Sequence, residues 1–261
     1  MIEIDKIYNE DCLEGMKRID DASIDAIICD LPYEVLNDGN PDAQWDKMLP
    51  LDKLWEQYLR VAKPNAAIVL FGQGMFTSDL MQSNRKMWRY NLIWDKERTT
   101  GFLNCKRMPL RQHEDICVFY QQLPIYNPQM TIGKPSHPQG NGKHKETNTC
   151  YGKYKQTNRA DPDILCQKYP TSIVRIKKEH DKNLFHPTQK PVELIRYLVR
   201  TYTNSGGVVL DNCIGSGTTA IACIKERRHF IGFELNKEYF DKAQNRIWEE
   251  QRQLTLDFET Y

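Results

Sequence analysis

The chain is predicted to fold as an α/β protein, a mostly parallel sheet with helices on both faces, interrupted by one basic insert. Three observations carry this expectation. Short apolar runs alternate with stripes of helical period. A glycine turn joins a buried run to a helix near the carboxyl end. A long polar segment, residues 121–185, breaks the alternation. With 261 residues, 40% of them hydrophobic, and a formal net charge of +1, the chain can bury one sizeable core with an inserted lobe. The start, MIEIDKIYNED, has none of the basic and apolar regions of a signal peptide, and no apolar run reaches the ~18 residues of a bilayer span. Neither export nor membrane insertion is expected, and a cytoplasmic location follows. Eight cysteines occur without a CxxC, and Cys29, Cys117, Cys213 and Cys223 sit in apolar runs, as buried thiols in a reducing compartment do. His137, His144 and Cys150 lie near one another in a polar stretch without ligand spacing, so no metal is expected.

The elements follow in order. Ile24 to Cys29 reads as a buried strand that stops at Asp30-Leu31-Pro32-Tyr33. Leu51, Leu54, Trp55, Tyr58, Leu59 and Ala62 form one helical stripe. Ala66 to Phe71 is a second strand ending at Gly72, and Tyr90 to Trp94 and Ile116 to Tyr120 are two more. From Gln121 to Phe185 apolar periodicity fades, and the segment holds eleven Lys/Arg against five Asp/Glu, a net of +6, with Tyr126, Tyr151, Tyr154 and Tyr169 interleaved. Concentrated basicity with interleaved rings points to a polyanionic partner. Pro191 then suits the first turn of a helix whose apolar face is Val192, Ile195, Leu198, Val199 and Tyr202. Val208 to Leu210 is a strand, Asp211 to Gly217 a tight turn, Thr218 to Lys225 a helix, and Phe230 to Phe233 a strand ending at Glu234.

The last unit is half of a dinucleotide-type fold. Gly215 and Gly217 let backbone approach a ligand, and the helix that follows offers free N–H groups to an anion. Glu234, 23 positions after Asp211, is placed to accept hydrogen bonds from ribose hydroxyls. The third glycine of GxGxxG is absent, and so is any GxxxxGK[ST] loop, which removes the main support for a nucleoside triphosphatase. At the other end of the chain, Asp30 follows the carboxyl end of its strand, where ligands sit in open α/β sheets. An acid, a carbonyl held by the following proline and a tyrosine ring form a receptor for a planar amino-substituted base: two acceptors for two N–H bonds and a face to stack on.

DLPY (Asp30 to Tyr33), HPTQKP (His186 to Pro191) and LDNCIGSGTT (Leu210 to Thr219), in that order, resemble the amino-directed DNA methyltransferases of the permuted β class, and in particular the compact solitary enzymes of phages and prophages. The resemblance covers most of the chain. It implies a Rossmann-like methyltransferase sheet with a catalytic half over residues 1–120, a target-recognition insert over 121–185 and a cofactor-binding half over 186–261. It also implies S-adenosylmethionine as cofactor, double-stranded DNA as partner, and transfer to an exocyclic amino nitrogen of a flipped-out base by Asp30, Leu31, Pro32 and Tyr33. Asp11 and Cys12 would lie near the cofactor adenine, and His186, Thr188 and Lys190 near its methionine end. Asp211, Gly215, Ser216, Gly217, Thr218 and Glu234 would complete the cofactor site. Trp94, Lys96 and Phe102 resemble the segment that closes over the flipped base, and Arg159, Arg175, Lys177 and Lys178 are candidates for DNA contact. The chain departs from the family pattern at Leu31, where a proline is usual, and at Asn212 and Cys213, where proline and phenylalanine are usual. An initial Asp in the tetrapeptide favours adenine-N6 over cytosine-N4 as target. The alternatives are N4-cytosine methylation and a non-catalytic DNA-binding remnant of the fold; a nicotinamide-dependent oxidoreductase would leave DLPY and the basic insert without a role.

Overall fold

The computed structural model describes residues 2–33, 48–133, 166–178 and 188–259, with the side chains of 254–259 excepted. The chain divides into two compact units, Met1–Asn127 with Ser172–Tyr261, and Pro128–Thr171. The stretch read as one insert is thus shared: residues 121–127 and 172–178 belong to the larger unit. Within the smaller unit, strands β6 (Thr131–Ile132) and β7 (Gln167–Lys168) pair antiparallel.

The larger unit is an eight-stranded α/β sheet. Its strands are β1 (Lys6–Tyr8), β2 (Ile24–Cys29), β3 (Ala62–Gly72), β4 (Trp88–Thr100), β5 (Arg111–Phe119), β8 (Ile173–Arg175), β9 (Val208–Asp211) and β10 (His229–Phe233). They lie in the order β1-β10-β9-β2-β3-β5-β4-β8. All pairs are parallel except those that β5 makes with β3 and β4. The helices are α1 (Cys12–Met16), α2 (Leu51–Val61), α3 (Met75–Ser83), α4 (Val192–Tyr202), α5 (Thr218–Lys225) and α6 (Lys237–Glu259).

Strand alternation divides the core into two layers. Ile28, Val69, Phe71 and Val209 face α4 and α5, where Leu194, Leu198, Val199, Ala220 and Ile221 meet them with Ala243 and Ile247 of α6. Their neighbours Ile27, Cys29, Ile68, Leu70 and Leu210 face Met16, Leu54, Trp55, Tyr58, Phe76 and Leu80 of α1, α2 and α3. The α2 stripe is therefore real, yet Leu59 is exposed and Ala62 already opens β3. Leu59 falls at the rim of the stripe, one step past Tyr58, and the chain turns into the sheet before another helical turn can form. Likewise α4 buries Leu194 in addition to the expected face, because a helix lying flat on a sheet covers more than one row of side chains.

Strand order positions the site. From β9 the chain moves outward to β10, whereas from β2 it moves the opposite way to β3, and β9 pairs with β2 through Ala26↔Val209 and Ile27↔Leu210. A ligand crevice forms where neighbouring strands send their connections in opposite directions. The two strands meeting there carry Asp30 and Asp211 at their carboxyl ends.

Candidate active site

A cavity of about 640 Å3 opens at this point, within the ~300–1,000 Å3 typical of small-molecule sites. Its wall takes in Asp30 to Tyr33 from one strand end, Asp211 to Ser216 and Thr218 from the other, Glu234 beyond β10, Thr188 and Lys190 before α4, and Asp11 and Cys12 at α1.

The glycine turn is tied at both ends. Asp211 accepts from the Cys213 N–H at 3.1 Å and from the Thr219 hydroxyl at 2.5 Å, so both of its oxygens serve the turn itself. Burial pushes its carboxyl up to about 6, against the hydrogen bonds from Thr219 and Cys213. Gly215 and Gly217 have φ of 51° and 76°, left-handed values that favour glycine. A Cβ at Gly217 would lie 3.3 Å from the Ala243 methyl, so α6 also packs against the turn. Arg246 of α6 donates to the Ser216 carbonyl and to the Thr218 hydroxyl, which pairs with the Ser216 hydroxyl at 3.0 Å. Glu234 accepts from the Gly215 N–H at 3.0 Å through one oxygen and from the Asn236 N–H at 2.7 Å through the other. Its carboxylate is thereby held in place at the cleft wall, and burial raises its pKa against those backbone donors.

The unusual Asn212-Cys213 pair has a structural account. Asn212 is buried, accepts from the Tyr58 hydroxyl at 2.5 Å and donates to the Cys12 and Cys213 sulfurs at 3.6 and 3.4 Å. A polar side chain with its partners supplied by α1 and α2 replaces an apolar contact without leaving a buried amide unsatisfied.

The other half of the cleft is a chain of alternating charges. Asp30 accepts from the Tyr33 hydroxyl at 3.2 Å on one oxygen and from the Lys190 ammonium at 2.5 Å on the other. Lys190, only 8% exposed, also stands 3.3 Å from Glu114, whose second oxygen takes a hydrogen bond from the buried Lys96 at 3.1 Å. The Glu114 oxygen facing Lys190 has no hydrogen bond among the described residues, so that contact is one of charge alone. Burial and the like charge of Glu114 raise the pKa of Asp30, with Lys190 opposing. Burial works against the Lys190 ammonium, but Asp30, Tyr33 and Glu114 around it hold its pKa well above the ordinary value. Glu114 is held low despite its burial, by Lys190 and Lys96. The Tyr33 ring is stacked on Phe76 with centroids 5.0 Å apart, which fixes its plane beside Asp30.

The structure gives several of the expected positions partners that the resemblance does not name. Lys190, expected near the methionine end of the cofactor, lines the cleft and is also the counter-ion of Asp30. Lys96, expected in the segment that closes over the flipped base, is a buried partner of Glu114, because β4 turns its side chain inward beside β5. Trp94 is fully buried, and its indole N–H donates to the Ile176 carbonyl at 2.8 Å; it forms cleft floor and core together. Asp11 lines the cleft but spends one oxygen capping α1 through the Leu13 and Glu14 N–H groups. Phe102 is exposed on a short 3-10 turn, Phe102–Asn104. Arg175 and Lys177 are exposed, the first 3.7 Å from Asp95, whereas Lys178 lines the cleft, its pKa lowered by burial and by Lys190 and Lys96. His186 and Arg159 lie outside the described residues. Sequence reasoning missed Glu114, and it read Tyr58 only as part of the α2 stripe, without its hydrogen bond to Asn212. The signal for Glu114 was its spacing: it stands two positions before Ile116 and so shares that residue's buried face.

Among the described residues no helix is long and apolar enough to cross a membrane, and no cluster of ligating side chains could hold a metal ion. Comparison with known proteins gives consistent results. Residues 24–245 match the family described as DNA methylase, which groups N6- and N4-directed enzymes. The type II methyltransferase M.HpaI of Haemophilus parainfluenzae is 26% identical over 93% of this chain and 74% of its own. The type II methyltransferase M.BglII of Bacillus subtilis is 27% identical over 92% of this chain and 68% of its own. Among solved structures, the complex of M1.HpyAVI with S-adenosylmethionine has a TM-score of 0.61 at 24% identity, covering 93% of this chain and 98% of that one. The cytosine-N4-specific PvuII DNA methyltransferase has a TM-score of 0.62 at 14% identity, over 92% of this chain and 84% of that one. With 222 consecutive positions of the chain matched to it, from Ile24 to Asn245, the protein belongs to the DNA methylase family.

Proposed function

We propose that the chain transfers a methyl group from S-adenosylmethionine to the exocyclic N6 of an adenine turned out of double-stranded DNA. The observation that carries this reading is one cleft in which the acid–Leu–Pro–Tyr corner at Asp30 faces the glycine turn and Glu234. The cofactor fits the groups present. Backbone with left-handed glycines at 215 and 217 admits close approach, Glu234 offers a carboxylate to ribose hydroxyls, and Asp11, Cys12 and Thr188 line the same wall. When bound, S-adenosylmethionine supplies an electrophilic methyl group on a sulfonium.

The remaining work falls to the chain itself. The Asp30 carboxylate and the Leu31 carbonyl accept the two amino hydrogens of the base, while Tyr33, fixed by Phe76, offers a ring face for stacking. Lys190 keeps Asp30 ionised and in place despite burial. As the nitrogen gains the methyl carbon and the sulfonium leaves as a thioether, one N–H proton becomes acidic. Asp30, with its pKa raised, is the group placed to take it. Positioning and local electrostatics supply most of the rate. Turning the base out is required because the amino group is out of reach within the duplex.

The class assignment rests on motif order. The acid–Leu–Pro–Tyr corner comes first and the glycine turn last, yet β2 and β9 are sheet neighbours, which is what a circularly permuted β-class arrangement requires. Arg175, Lys177 and Lys178, with Arg159, are the cations proposed to meet DNA. Asp30→Ala should reduce transfer at least ~1,000-fold with cofactor affinity by calorimetry within a few-fold of the parent. Retained turnover would remove Asp30 from the mechanism. Nucleoside analysis of modified DNA showing only N4-methylcytosine would overturn the choice of adenine.

A further inference from the structure

Above the cleft, β4 and β5 extend into a hairpin that the reaction as described leaves without a role. Trp94 and Glu114 are cross-strand partners and both line the cleft, so the hairpin rises from its wall. Pairing continues through Asp95↔His113 to Thr100↔Arg111. Because β4 bulges between Asp95 and Thr100, the length is set by β5, whose three positions from Glu114 to Arg111 carry the paired strands up to ~10 Å outward. That exceeds the ~8.5 Å depth of a major groove.

At the tip, Gly101, with φ of 87°, starts the 3-10 turn Phe102–Asn104. The turn is closed by its own backbone bonds, from Asn104 N–H to the Gly101 carbonyl and from Cys105 N–H to the Phe102 carbonyl. A shaped tip thus presents Phe102 at 76% exposure, Leu103 at 97% and Met108 at 57%, and none of the three belongs to either core layer. Folding gains nothing from their apolar surface, which is the condition under which exposed apolar residues mark a contact site. Around them stand the exposed cations Arg98, Lys106, Arg107 and Arg111, against the single acid Glu97. Charge of that sign beside a cleft that serves DNA selects a polyanion as the occupant.

We propose that Phe102 and Leu103 form an apolar wedge that enters the base stack of DNA beside the target, filling the gap left by the departed base, while Arg98, Lys106, Arg107 and Arg111 hold the flanking phosphates. Apolar side chains pressed between base steps are an established way of unstacking a duplex. The inference rests on the base-extrusion reading above, but its test does not require methyl transfer. The probe is a fluorescein-labelled duplex carrying one abasic position, compared with the intact duplex of the same sequence. An abasic position is a ready-made gap, so no stacking must be broken to admit the wedge.

The parent chain is expected to bind the abasic duplex at least ~10-fold more tightly than the intact one. The double variant Phe102→Ser, Leu103→Ser should lose that preference while keeping its affinity for S-adenosylmethionine. Both side chains are exposed, so the variant has no packing reason to misfold; the urea midpoint checks this. Arg107→Gln with Arg111→Gln should weaken both duplexes alike and lower the salt slope by about two. Equal affinity of the parent for the two duplexes overturns the wedge, and so does a preference that survives the double variant. A change in association state of the double variant without a change in DNA affinity assigns the tip to contact between copies and also overturns it. Preference for the abasic duplex in a chain that methylates no DNA keeps the wedge and discards the reaction; methylation without the preference does the reverse.

Discussion

Replacing Lys190 by Met tests the charge chain that organises the catalytic half of the cleft. Methionine keeps an apolar stem of similar length and removes the ammonium, which stands 5.1 Å from the Phe71 ring centroid. That ammonium lies 2.5 Å from Asp30 and 3.3 Å from Glu114, and Lys190 is 8% exposed. Its loss leaves two buried carboxylates facing one another, and breaking a buried pair in this way costs ~3–5 kcal/mol. Proton uptake limits the damage. With the cation gone, the folded-state pKa of Asp30 rises further above its unfolded value, so the folded variant binds a proton that the unfolded chain does not. Its stability then falls as pH rises from the unfolded value to the raised folded one, and above that the full penalty stands. Urea unfolding followed by tryptophan fluorescence should therefore show a loss of ~3 kcal/mol at pH 8 and less than half of that at pH 5. A loss under ~1 kcal/mol at pH 8, or one equal at both pH values, would refute the reasoning. Transfer should fall at least ~100-fold while cofactor affinity changes less than ~5-fold. The opposite split would return Lys190 to the cofactor's methionine end.

Further outcomes follow from the same geometry. Glu114→Gln removes the like charge that raises the Asp30 pKa, so the acid limb of the transfer profile, governed by ionised Asp30, should move to lower pH; a shift to higher pH contradicts the arrangement. Asp211 has its pKa raised from 3.8 to about 6 by burial, so its contribution to stability is present below ~4 and is lost as pH rises through about 6, on the order of 3 kcal/mol in all. Asp211→Asn should flatten that stretch of the stability–pH curve and loosen the turn, seen as weaker S-adenosylmethionine binding in calorimetry; an unchanged slope sinks the assignment. Gly15→Ala would put a Cβ 2.2 Å from the buried Phe233 ring, and overpacking of this kind should lower stability by ~1–3 kcal/mol in urea. Glu234→Gln keeps one carbonyl oxygen but replaces the other with an amide NH2 facing a backbone N–H, either that of Gly215 or that of Asn236. Cofactor affinity should drop ~10- to 100-fold with little change in the rate at saturation, and an unaltered affinity would exclude Glu234 from the ribose.

Local patterning in the amino-acid sequence determined the α/β alternation, the helices at 192–202 and 218–225, and the two strand ends that carry Asp30 and the glycine turn. These are legible because apolar period, proline and glycine act within a few residues of themselves. Only the tertiary structure decided which side chains meet. Lys190 and Asp30 are 160 positions apart, and Asn212 and Tyr58 are 154 apart. Nothing periodic in either segment encodes such a partnership. Lys96 reads only as part of the segment that closes over the flipped base until β5 brings Glu114 beside it, and the insert reads as one block until β8 joins β4. Pairing of buried charges and strand neighbours is settled by the summed packing of the whole sheet, where a carboxylate leaving water needs a cation from whichever segment the fold brings within reach.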